Sequence, residues 1–398
     1  MPDEGPAQIL PRGWRVLRFD RFAESVTERV DPAEANAEHY VGLEHLDPES
    51  LTIRRWGSPT DVIGEKLRFR AGDVIYGRRR AYQRKLAVPN FDGICSAHAM
   101  VLRAREGVML QDFLPFFMQG ETFHRRALQI SVGSLSPTIN WRTLAAQEFA
   151  IPPLDEQRRI ADILWAADDL VRRMEKCVEA ALTLSVSLFE EWLDHGLSAR
   201  AEPCWHEVKF GDLMTASPDS GYSAVQAGRE TGHFVLILSA LSPIGYRRGH
   251  LKPVELAPEV EATRLKASDF LISRSNTVEL VGLVGIYDED RDDISFPDTV
   301  MRLHLDEGRI DKRFLEQVLL SQYGRRQIQR IAAGTSGSMK KINRRELSKI
   351  LIPLPPLHVQ RSMVERLEAV SKAVHMVEQN SQNRRELKTA LLRELLQA

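Results

Sequence analysis

The sequence predicts an α+β protein in which two similar α/β domains are separated by two long antiparallel helices that form a coiled coil. Two observations lead to this class: the sequence contains an internal repeat of about half its length, and each copy ends in a long segment with a heptad pattern. A length of 398 residues and an apolar fraction of 43% allow two or three domains, each with its own core. The expected boundaries are residues 1–153 for the first domain, 154–200 for the central helix, 201–355 for the second domain and 356–398 for the distal helix.

The repeat consists of short matches that occur in the same order in both halves. Each copy opens with a Trp and a Phe five residues apart, beginning at Trp14 and at Trp205. The remaining matches pair residues 67–76 with 263–272, 113–114 with 314–315, 133–140 with 334–343, and 151–158 with 354–361. The shared order makes chance a poor explanation. Between the matches, residues 39–51 and 234–251 share little, which predicts a common scaffold with two different binding faces. The alternative is a duplicated domain whose second copy merely drifted.

A long helix is predicted after each Pro-Pro-Leu-x-x-Gln motif, because proline is tolerated at the start of a helix but not in its interior. The motifs lie at residues 152–157 and 355–360, and Gly196 is the expected end of the first helix, which would span about 60 Å. Apolar residues then recur at steps of three and four, and a polar stretch at 379–383 interrupts the second pattern. The two seams are Ile160, Leu164, Ala167, Val171, Met174, Val178, Ala181, Ser185, Leu188 and Trp192, and Met363, Leu367, Val370, Val374, Val377, Leu387, Leu391 and Leu395. Neither helix can bury its stripe alone, so we expect the two helices to pack on each other and to space the two domains.

Cysteine use and hydropathy bear on the compartment. Cys95, Cys177 and Cys204 are too few and too far apart for a disulfide framework or a clustered metal site, which favours a reducing compartment. The first six residues lack the basic and apolar regions of a signal peptide. No stretch approaches the roughly 18 apolar residues of a membrane span. We therefore expect a soluble, cytoplasmic protein without a membrane partner.

Cations are concentrated in a few predicted loops, although the formal net charge of the whole chain is only -1. The most basic loop follows a predicted strand, and its candidate DNA-binding residues are Arg78, Arg79, Arg80, Tyr82, Gln83, Arg84 and Lys85. Cations neutralise phosphates, arginine binds the guanine edge through two hydrogen bonds, and an amide such as Gln83 suits adenine. We expect this loop to contact DNA; the alternative is a solvated basic loop.

Further candidate residues lie in segments rich in hydroxyl groups, amides and lysines. Backbone N–H groups and lysines in such segments suit phosphate, although an ordinary flexible loop would have a similar composition. The candidates are Ser134 and Ser136 in the first copy, and Arg247, Arg248, Lys252, Arg274, Ser275, Asn276, Lys340 and Lys341 in the second copy. The two lysines end a glycine- and hydroxyl-rich stretch at residues 334–341.

No catalytic motif accompanies these loops. The chain contains no Asn-Pro and lacks the Asn/Asp-Pro-Pro-aromatic motif of adenine methyltransferases. It also lacks a Gly-x-x-x-x-Gly-Lys-Ser/Thr phosphate loop and a His pair with metal-ligand spacing. Pro297-Asp298 is not followed by the Glu/Asp-x-Lys triplet of restriction nucleases on a nearby strand. We therefore expect no catalytic residues, no metal and no cofactor.

The arrangement resembles the specificity subunits of type I restriction–modification systems, which act in bacterial defence. The resemblance covers nearly the whole chain and rests on the two Pro-Pro-Leu-x-x-Gln motifs, the Asp73 and Asp269 turns, the Trp14 and Trp205 openings and the two long helices. It implies two target-recognition domains, each reading one half of a split, asymmetric DNA sequence, with the helices setting the gap. It also implies three kinds of partner: double-stranded DNA, two DNA adenine methyltransferase subunits, and ATP-dependent restriction and translocase subunits. Methylation and cleavage would belong to those subunits, and this chain would be non-catalytic.

Two other functions stay open on the sequence alone. The chain is alternatively the recognition subunit of a combined cleavage–methylation enzyme with a different partner. It is otherwise a coiled-coil interaction protein with two peptide-binding heads and no affinity for DNA. Salt-sensitive DNA binding would argue against the last alternative, because neutralising phosphates makes affinity fall steeply as salt rises.

Overall fold

The computed structural model describes residues 10–48, 50–198, 205–332 and 339–396. The chain divides into two compact units, one made of Met1–Glu175 with Glu378–Ala398 and the other of Lys176–Val377. Each unit therefore contains one globular domain together with one part of each long helix. Cys204 and residues 334–338, which belong to the predictions above, lie outside the described residues.

The first unit contains two four-stranded sheets and one strand pair. Its strands are β1 (Arg15–Arg18), β2 (Ala23–Val26), β3 (Arg29–Val30), β4 (Tyr40–Val41), β5 (Lys66–Phe69), β6 (Val74–Gly77), β7 (Leu86–Ala87), β8 (Gly93–Cys95), β9 (Ala99–Ala104) and β10 (Glu148–Ile151). Its helices are α1 (Phe19–Phe22), α2 (Leu114–Gln119), α3 (Glu121–Gln129), α4 (Trp141–Ala145) and the first part of α5 (Leu154–Leu197). The sheet orders are β2-β9-β6-β7 and β3-β5-β8-β4, and β1 pairs with β10.

The second unit contains one four-stranded sheet, one three-stranded sheet and three strand pairs. Its strands are β11 (His206–Lys209), β12 (Asp219–Ser220), β13 (Phe234–Leu236), β14 (Leu241–Ser242), β15 (Gly245–Tyr246), β16 (Leu251–Pro253), β17 (Phe270–Ser273), β18 (Ser275–Asn276), β19 (Val284–Ile286), β20 (Ile294–Ser295), β21 (Val300–Leu303), β22 (Lys340–Lys341) and β23 (Leu351–Leu354). Its helices are α6 (Pro258–Ala262), α7 (Lys312–Leu320), α8 (Gln322–Ile331), α9 (Arg344–Leu347) and the first part of α10 (Leu357–Leu395).

The strand orders show that the two domains are copies of one scaffold. The sheet β12-β21-β17-β19 has the same strand order as the sheet β2-β9-β6-β7, when β12 is matched with β2, β21 with β9, β17 with β6 and β19 with β7. The opening strand of each copy pairs antiparallel with its last strand, as β1 with β10 and β11 with β23. The predicted α+β class, with two similar domains and two long helices, is confirmed.

Each unit buries an aromatic core between its sheets and its helices. In the first unit Phe117, Phe123 and Phe149 are buried, and the ring centroids of Phe117 and Phe149 are 5.4 Å apart. In the second unit Phe210 and Phe314 are fully buried. Because each such ring removes roughly 150–250 Å² from water, these side chains account for much of the stability of each domain.

The glutamine of each Pro-Pro-Leu-x-x-Gln motif joins the start of a long helix to the domain that precedes it. The Gln157 amide is fully buried; it accepts a hydrogen bond from the Leu110 N–H and donates to the carbonyl oxygens of Val108 and Pro152, over 2.8–2.9 Å. Gln360 makes the equivalent three hydrogen bonds in the second unit, with the Asp311 N–H and the carbonyl oxygens of Arg309 and Pro355. Buried amides need such partners, which explains why both motifs carry this residue.

The two long helices pack against each other and against the domain in each unit. In the first unit Ile160 and Leu164 of α5 belong to the same core as Leu391 and Leu395 of α10. In the second unit α5 contributes Phe189 and Leu193, and α10 contributes Met363, Val364 and Leu367. All ten predicted seam residues of α5 are buried or half-buried, so the predicted seam of this helix is confirmed.

The seam of α10 differs from the prediction at one point. Leu387 is 53% exposed, whereas Ser381 and Lys388 are buried. The helix runs without a break from Leu357 to Leu395, and the heptad steps lead from Val377 through Ser381 to Lys388. A polar residue holds the seam position at Lys388 because its ammonium group forms an ion pair with Asp168 of α5. The prediction of Leu387 as a seam residue was therefore wrong.

Gly196 lies inside α5, which ends one residue later at Leu197. The Trp205 ring packs on this glycine, and an added Cβ would lie only 2.3 Å from the ring atom Cδ2. The absence of a side chain at Gly196 therefore lets the end of α5 come close to Trp205 at the start of the second domain. The glycine, which the sequence predicts as the end of the helix, also lies one residue from the observed end.

Candidate nucleic-acid interface

An aspartate fixes the turn that leads into the strand before each predicted DNA-binding segment. Asp73 accepts a hydrogen bond from the Arg70 N–H over 2.9 Å, and Arg103 contacts both of its carboxylate oxygens. Asp269 accepts from the Lys266 N–H over 2.9 Å and pairs with Arg302. The Asp–Arg pair thus recurs in both copies. It holds the turns before β6 and β17 and so helps to position the loops that follow these two strands.

In the first unit the structure brings two predicted segments together, residues 78–85 and residues 131–139, which we call the first loop pair. The Ile139 N–H donates to the Arg78 carbonyl over 3.0 Å, and the Arg80 N–H donates to the Pro137 carbonyl over 2.8 Å. Arg79 and Thr138 form a β-bridge between these bonds. The basic segment and the hydroxyl-rich segment, which residues 86–130 separate in the sequence, therefore form one continuous surface.

Some side chains of the first loop pair are exposed. Arg79, Arg80 and Ser134 are exposed, and Tyr82 is 52% exposed. No carboxylate of the described residues forms an ion pair with Arg79 or Arg80.

The other predicted residues of the first loop pair make contacts within the unit. Arg78 donates a hydrogen bond to the Ala97 carbonyl, and Lys85 donates to the Leu43 carbonyl. Arg84 donates to the Glu121 carboxylate. The Ser136 carbonyl accepts a hydrogen bond from Thr138, and Gln83 is half-buried. Of the cationic side chains predicted in this loop pair, those of Arg79 and Arg80 are therefore the most available to a phosphate.

The backbone of the first loop pair has an uncommon conformation at Arg80 and Arg84. Arg80 (φ 57°) and Arg84 (φ 52°) lie in the left-handed region, on either side of the short 3-10 turn Ala81–Gln83. Residues other than glycine rarely adopt this conformation, and it costs free energy that the surrounding structure must supply. The hydrogen bonds to Pro137 and Glu121 supply part of that support, so the loop has a defined shape that displays Tyr82.

The second unit forms the same pairing, which we call the second loop pair, between residues 274–277 and 339–342. Ser275 pairs with Lys341 and Asn276 with Lys340, and the Ile342 N–H donates to the Arg274 carbonyl over 2.9 Å. This bond is the counterpart of the one from Ile139 to Arg78. Ser275 is buried, so Lys341, which is exposed, and the half-buried Arg274, Asn276 and Lys340 form the polar surface of this loop pair.

The predicted cluster of Arg247, Arg248 and Lys252 lies on other elements, namely the end of the β14–β15 hairpin and β16. Arg248 forms a two-point ion pair with Asp288, and Lys252 donates to the Ala224 carbonyl over 2.8 Å. Arg247 is exposed and forms no ion pair with a carboxylate of the described residues. Of these three residues, Arg247 has the side chain most available to a phosphate.

Sequence reasoning missed four exposed arginines on the helices beside the loop pairs. Helix α3 contacts the turn Ala81–Gln83, and Ile328 of α8 and Ile342 of the second loop pair both pack against Gly282. The exposed arginines of these two helices are Arg125, Arg126, Arg326 and Arg330. The repeat contained a signal for two of them, because Arg125 and Arg326 each lie twelve residues after the matched phenylalanines at 113 and 314.

Within the described ranges no group of three or more His, Cys, Asp or Glu side chains is arranged to hold a metal ion. Over the same residues, no helix has both the length and the apolar character needed to span a membrane.

Comparison with known proteins identifies the family. Residues 63–182 and 246–384, which make up more than half of the chain, match the family model of the type I restriction modification DNA specificity domain. The chain belongs to this family. The prediction made from the two motifs, the two Asp turns and the two long helices is thereby confirmed.

Individual relatives share this assignment over different lengths. The chain is 27% identical over 202 residues to the specificity subunit of the type I restriction enzyme EcoDI of Escherichia coli, an alignment covering 48% of this chain and 44% of the relative. It is 23% identical over 418 residues to the MjaVIII specificity subunit of Methanocaldococcus jannaschii, covering 97% of this chain and 93% of the relative. A chain from a structural study of complex assembly and conformational transition of the type I restriction–modification system superposes with a TM-score of 0.60 at 20% identity, covering 98% of this chain and all of that one.

Proposed function

We propose that this chain is the DNA-reading subunit of a type I restriction–modification complex. Each globular domain contacts one half of a bipartite, asymmetric DNA site. The long helices α5 and α10 set the distance between the half-sites and bind two DNA adenine methyltransferase subunits. Methylation and ATP-dependent cleavage belong to the partner subunits, and this chain contributes no catalytic group.

The observation that carries this proposal is the same backbone pairing in two domains with different side chains. Both loop pairs join a segment that follows a central strand to the segment before the next helix. The first presents Arg79 and Arg80, and the second presents Asn276 beside lysines. A shared scaffold with unlike polar groups is what two half-sites of different sequence require, because base edges differ in their donors and acceptors.

The role of the helices is supported by apolar side chains outside the seam. Leu182 and Val186 of α5 are 45% and 62% exposed and lie one helical turn apart on the same face of the helix. Exposed apolar side chains that are adjacent on one face of a helix favour a protein partner. Replacing Leu182 and Val186 with glutamate is therefore expected to prevent co-purification of the methyltransferase subunits while leaving DNA binding by the isolated chain intact.

The test of DNA reading is a comparison of two double variants with a control. Arg79→Ala/Arg80→Ala and Lys340→Ala/Lys341→Ala are measured with wild type by fluorescence anisotropy on a duplex that the wild-type chain selects from a random pool. We expect each double variant to reduce affinity and to reduce the slope of log affinity against log salt by roughly 0.9 for each phosphate that is no longer neutralised. The control is Arg12→Ala/Arg15→Ala, which removes two exposed arginines outside the loop pairs.

The selected sequences provide the second readout. The arginine variant is expected to lose preference in one half-site, and the lysine variant in the other, because each loop pair belongs to a different domain. Equal affinity and equal salt slope for all four proteins would overturn this placement of the interface. A wild-type chain that selects no sequence and binds DNA without salt dependence would overturn the proposed function.

A further inference from the structure

The first loop pair carries an apolar tip on an otherwise polar surface. Leu135 is 92% exposed and Val132 is 78% exposed, so neither side chain contributes to the core of its unit. Their immediate neighbours are Gly133, Ser134 and Ser136. A leucine exposed to this extent buries little surface in the fold of the chain and is available to contact a ligand.

The tip is held in place by backbone hydrogen bonds. The Val132 N–H donates to the Thr138 carbonyl over 3.0 Å, and the Thr138 N–H donates back to the Val132 carbonyl over 2.9 Å. The Thr138 hydroxyl donates to the Ser136 carbonyl over 3.0 Å, and Gly133 takes a positive φ of 114° at the turn. Two backbone hydrogen bonds between Val132 and Thr138 therefore close the base of the tip that carries Leu135.

Two exposed arginines lie beside this apolar tip. Thr138 is bridged to Arg79, and Pro137 accepts the hydrogen bond of Arg80, so both exposed arginines lie on the segment beside the tip. A surface that presents two cations next to an exposed apolar side chain complements a ligand that is anionic outside and apolar inside. Double-stranded DNA has this character, since phosphates line the outside of the duplex and the base stack lies within.

We infer that Leu135 inserts between adjacent base pairs of the first half-site and unstacks them. The inference rests on the proposed function and extends it, because it assigns recognition to a deformation of the duplex as well as to polar contacts. A site that must be unstacked is recognised partly through how readily its base step opens, and pyrimidine–purine steps open most readily. In the second unit Met339, 45% exposed, precedes Lys340 at the matching loop, so an apolar side chain recurs there.

The experiment measures permanganate reactivity of thymines, which rises when a base is unstacked. The full chain is bound to the duplex that wild type selects from a random pool, at saturating protein. The variants are Leu135→Ala, which removes the wedge, and Leu135→Met, which keeps an apolar side chain of similar length. The control is Ile63→Ala, which removes another fully exposed apolar side chain, on the turn before β5.

We expect wild type, Leu135→Met and Ile63→Ala to produce one reactive step in the first half-site, and Leu135→Ala to leave it at the level of free DNA. The salt slope of Leu135→Ala should equal that of wild type, because no charge is removed. Retained reactivity in Leu135→Ala, or salt-dependent binding by wild type without any reactive step, would overturn the inference and leave the proposed function standing. Absence of salt-dependent binding by wild type would overturn both.

Discussion

The buried glutamine at the start of α5 provides a quantitative test of how the long helices are attached. Replacing Gln157 with leucine keeps most of the side-chain volume but removes three hydrogen bonds, to the Leu110 N–H and to the Val108 and Pro152 carbonyls. At about 1 to 1.5 kcal/mol for each bond, the three sum to about 3 to 4.5 kcal/mol. We therefore expect the free energy of unfolding of the first unit to fall by that amount.

The assay is urea unfolding combined with hydrogen exchange read by mass spectrometry. With a slope of about 3 kcal/mol per molar urea, the midpoint of urea unfolding should fall by about 1 to 1.5 M. Protection of backbone amides from hydrogen exchange should decrease in the peptides that contain residues 108–113 and 152–160. The matched control is Gln129→Leu at an exposed position of α3, which should change stability by less than about 0.5 kcal/mol. A change of that small size in Gln157→Leu itself would refute the reasoning.

Three further changes test other parts of the structure. Arg125→Ala and Arg326→Ala should each reduce the salt slope of DNA binding by about 0.9, measured by fluorescence anisotropy, if α3 and α8 contact phosphates. Burial raises the pKa of the Glu316 carboxyl group to about 7 from 4.5, so wild type should lose about 3 kcal/mol of stability as the pH rises from 4.5 to 7, and Glu316→Gln should not. Lys388→Ala should cost roughly 3 kcal/mol in urea unfolding because Asp168 then has no ion-pair partner in a mostly buried site.

Each of these three has a distinguishing control. Arg15→Ala, outside the loop pairs, should leave the salt slope unchanged. For the pH dependence, Glu261→Gln at an exposed site should behave as wild type, and an unchanged pH profile in Glu316→Gln would contradict the buried-carboxyl account. For the ion pair, the double change Lys388→Met/Asp168→Leu should recover most of the stability, because it leaves no unpaired charge. A double variant as unstable as the single one would show that the ion pair is not the cause.

The features that could be predicted from the sequence are those that occur in both copies of the internal repeat. The Asp73 and Asp269 turns and the two buried glutamines each perform a local task that recurs in both copies, so their spacing carried the fold class and the family. The two segments of the first loop pair were each recognised in the sequence, one as a basic segment and the other as a hydroxyl-rich segment. Their pairing was not, since hydrogen bonds between segments so distant in the sequence leave no local pattern.

Other features depended on tertiary contacts that a single sequence does not show. The seam position of Lys388 required knowledge of Asp168 on the other helix, and hydropathy alone selected Leu387 instead. Similarly, Arg78 and Lys85 had the right residue type for phosphate, yet their side chains bind carbonyl oxygens within the unit. Residue type predicts what a side chain is able to bind, whereas exposure decides whether it reaches an external ligand.

The most direct test of the central claim is methylome sequencing of the host with the chain present, deleted, and carrying Arg79→Ala/Arg80→Ala. We expect one asymmetric, two-part methylated motif that disappears on deletion. In the arginine variant, methylation should weaken and preference should relax in one half of the motif only. A methylome that is identical in all three strains, with the partner subunits expressed, would contradict the assignment of DNA reading to this chain.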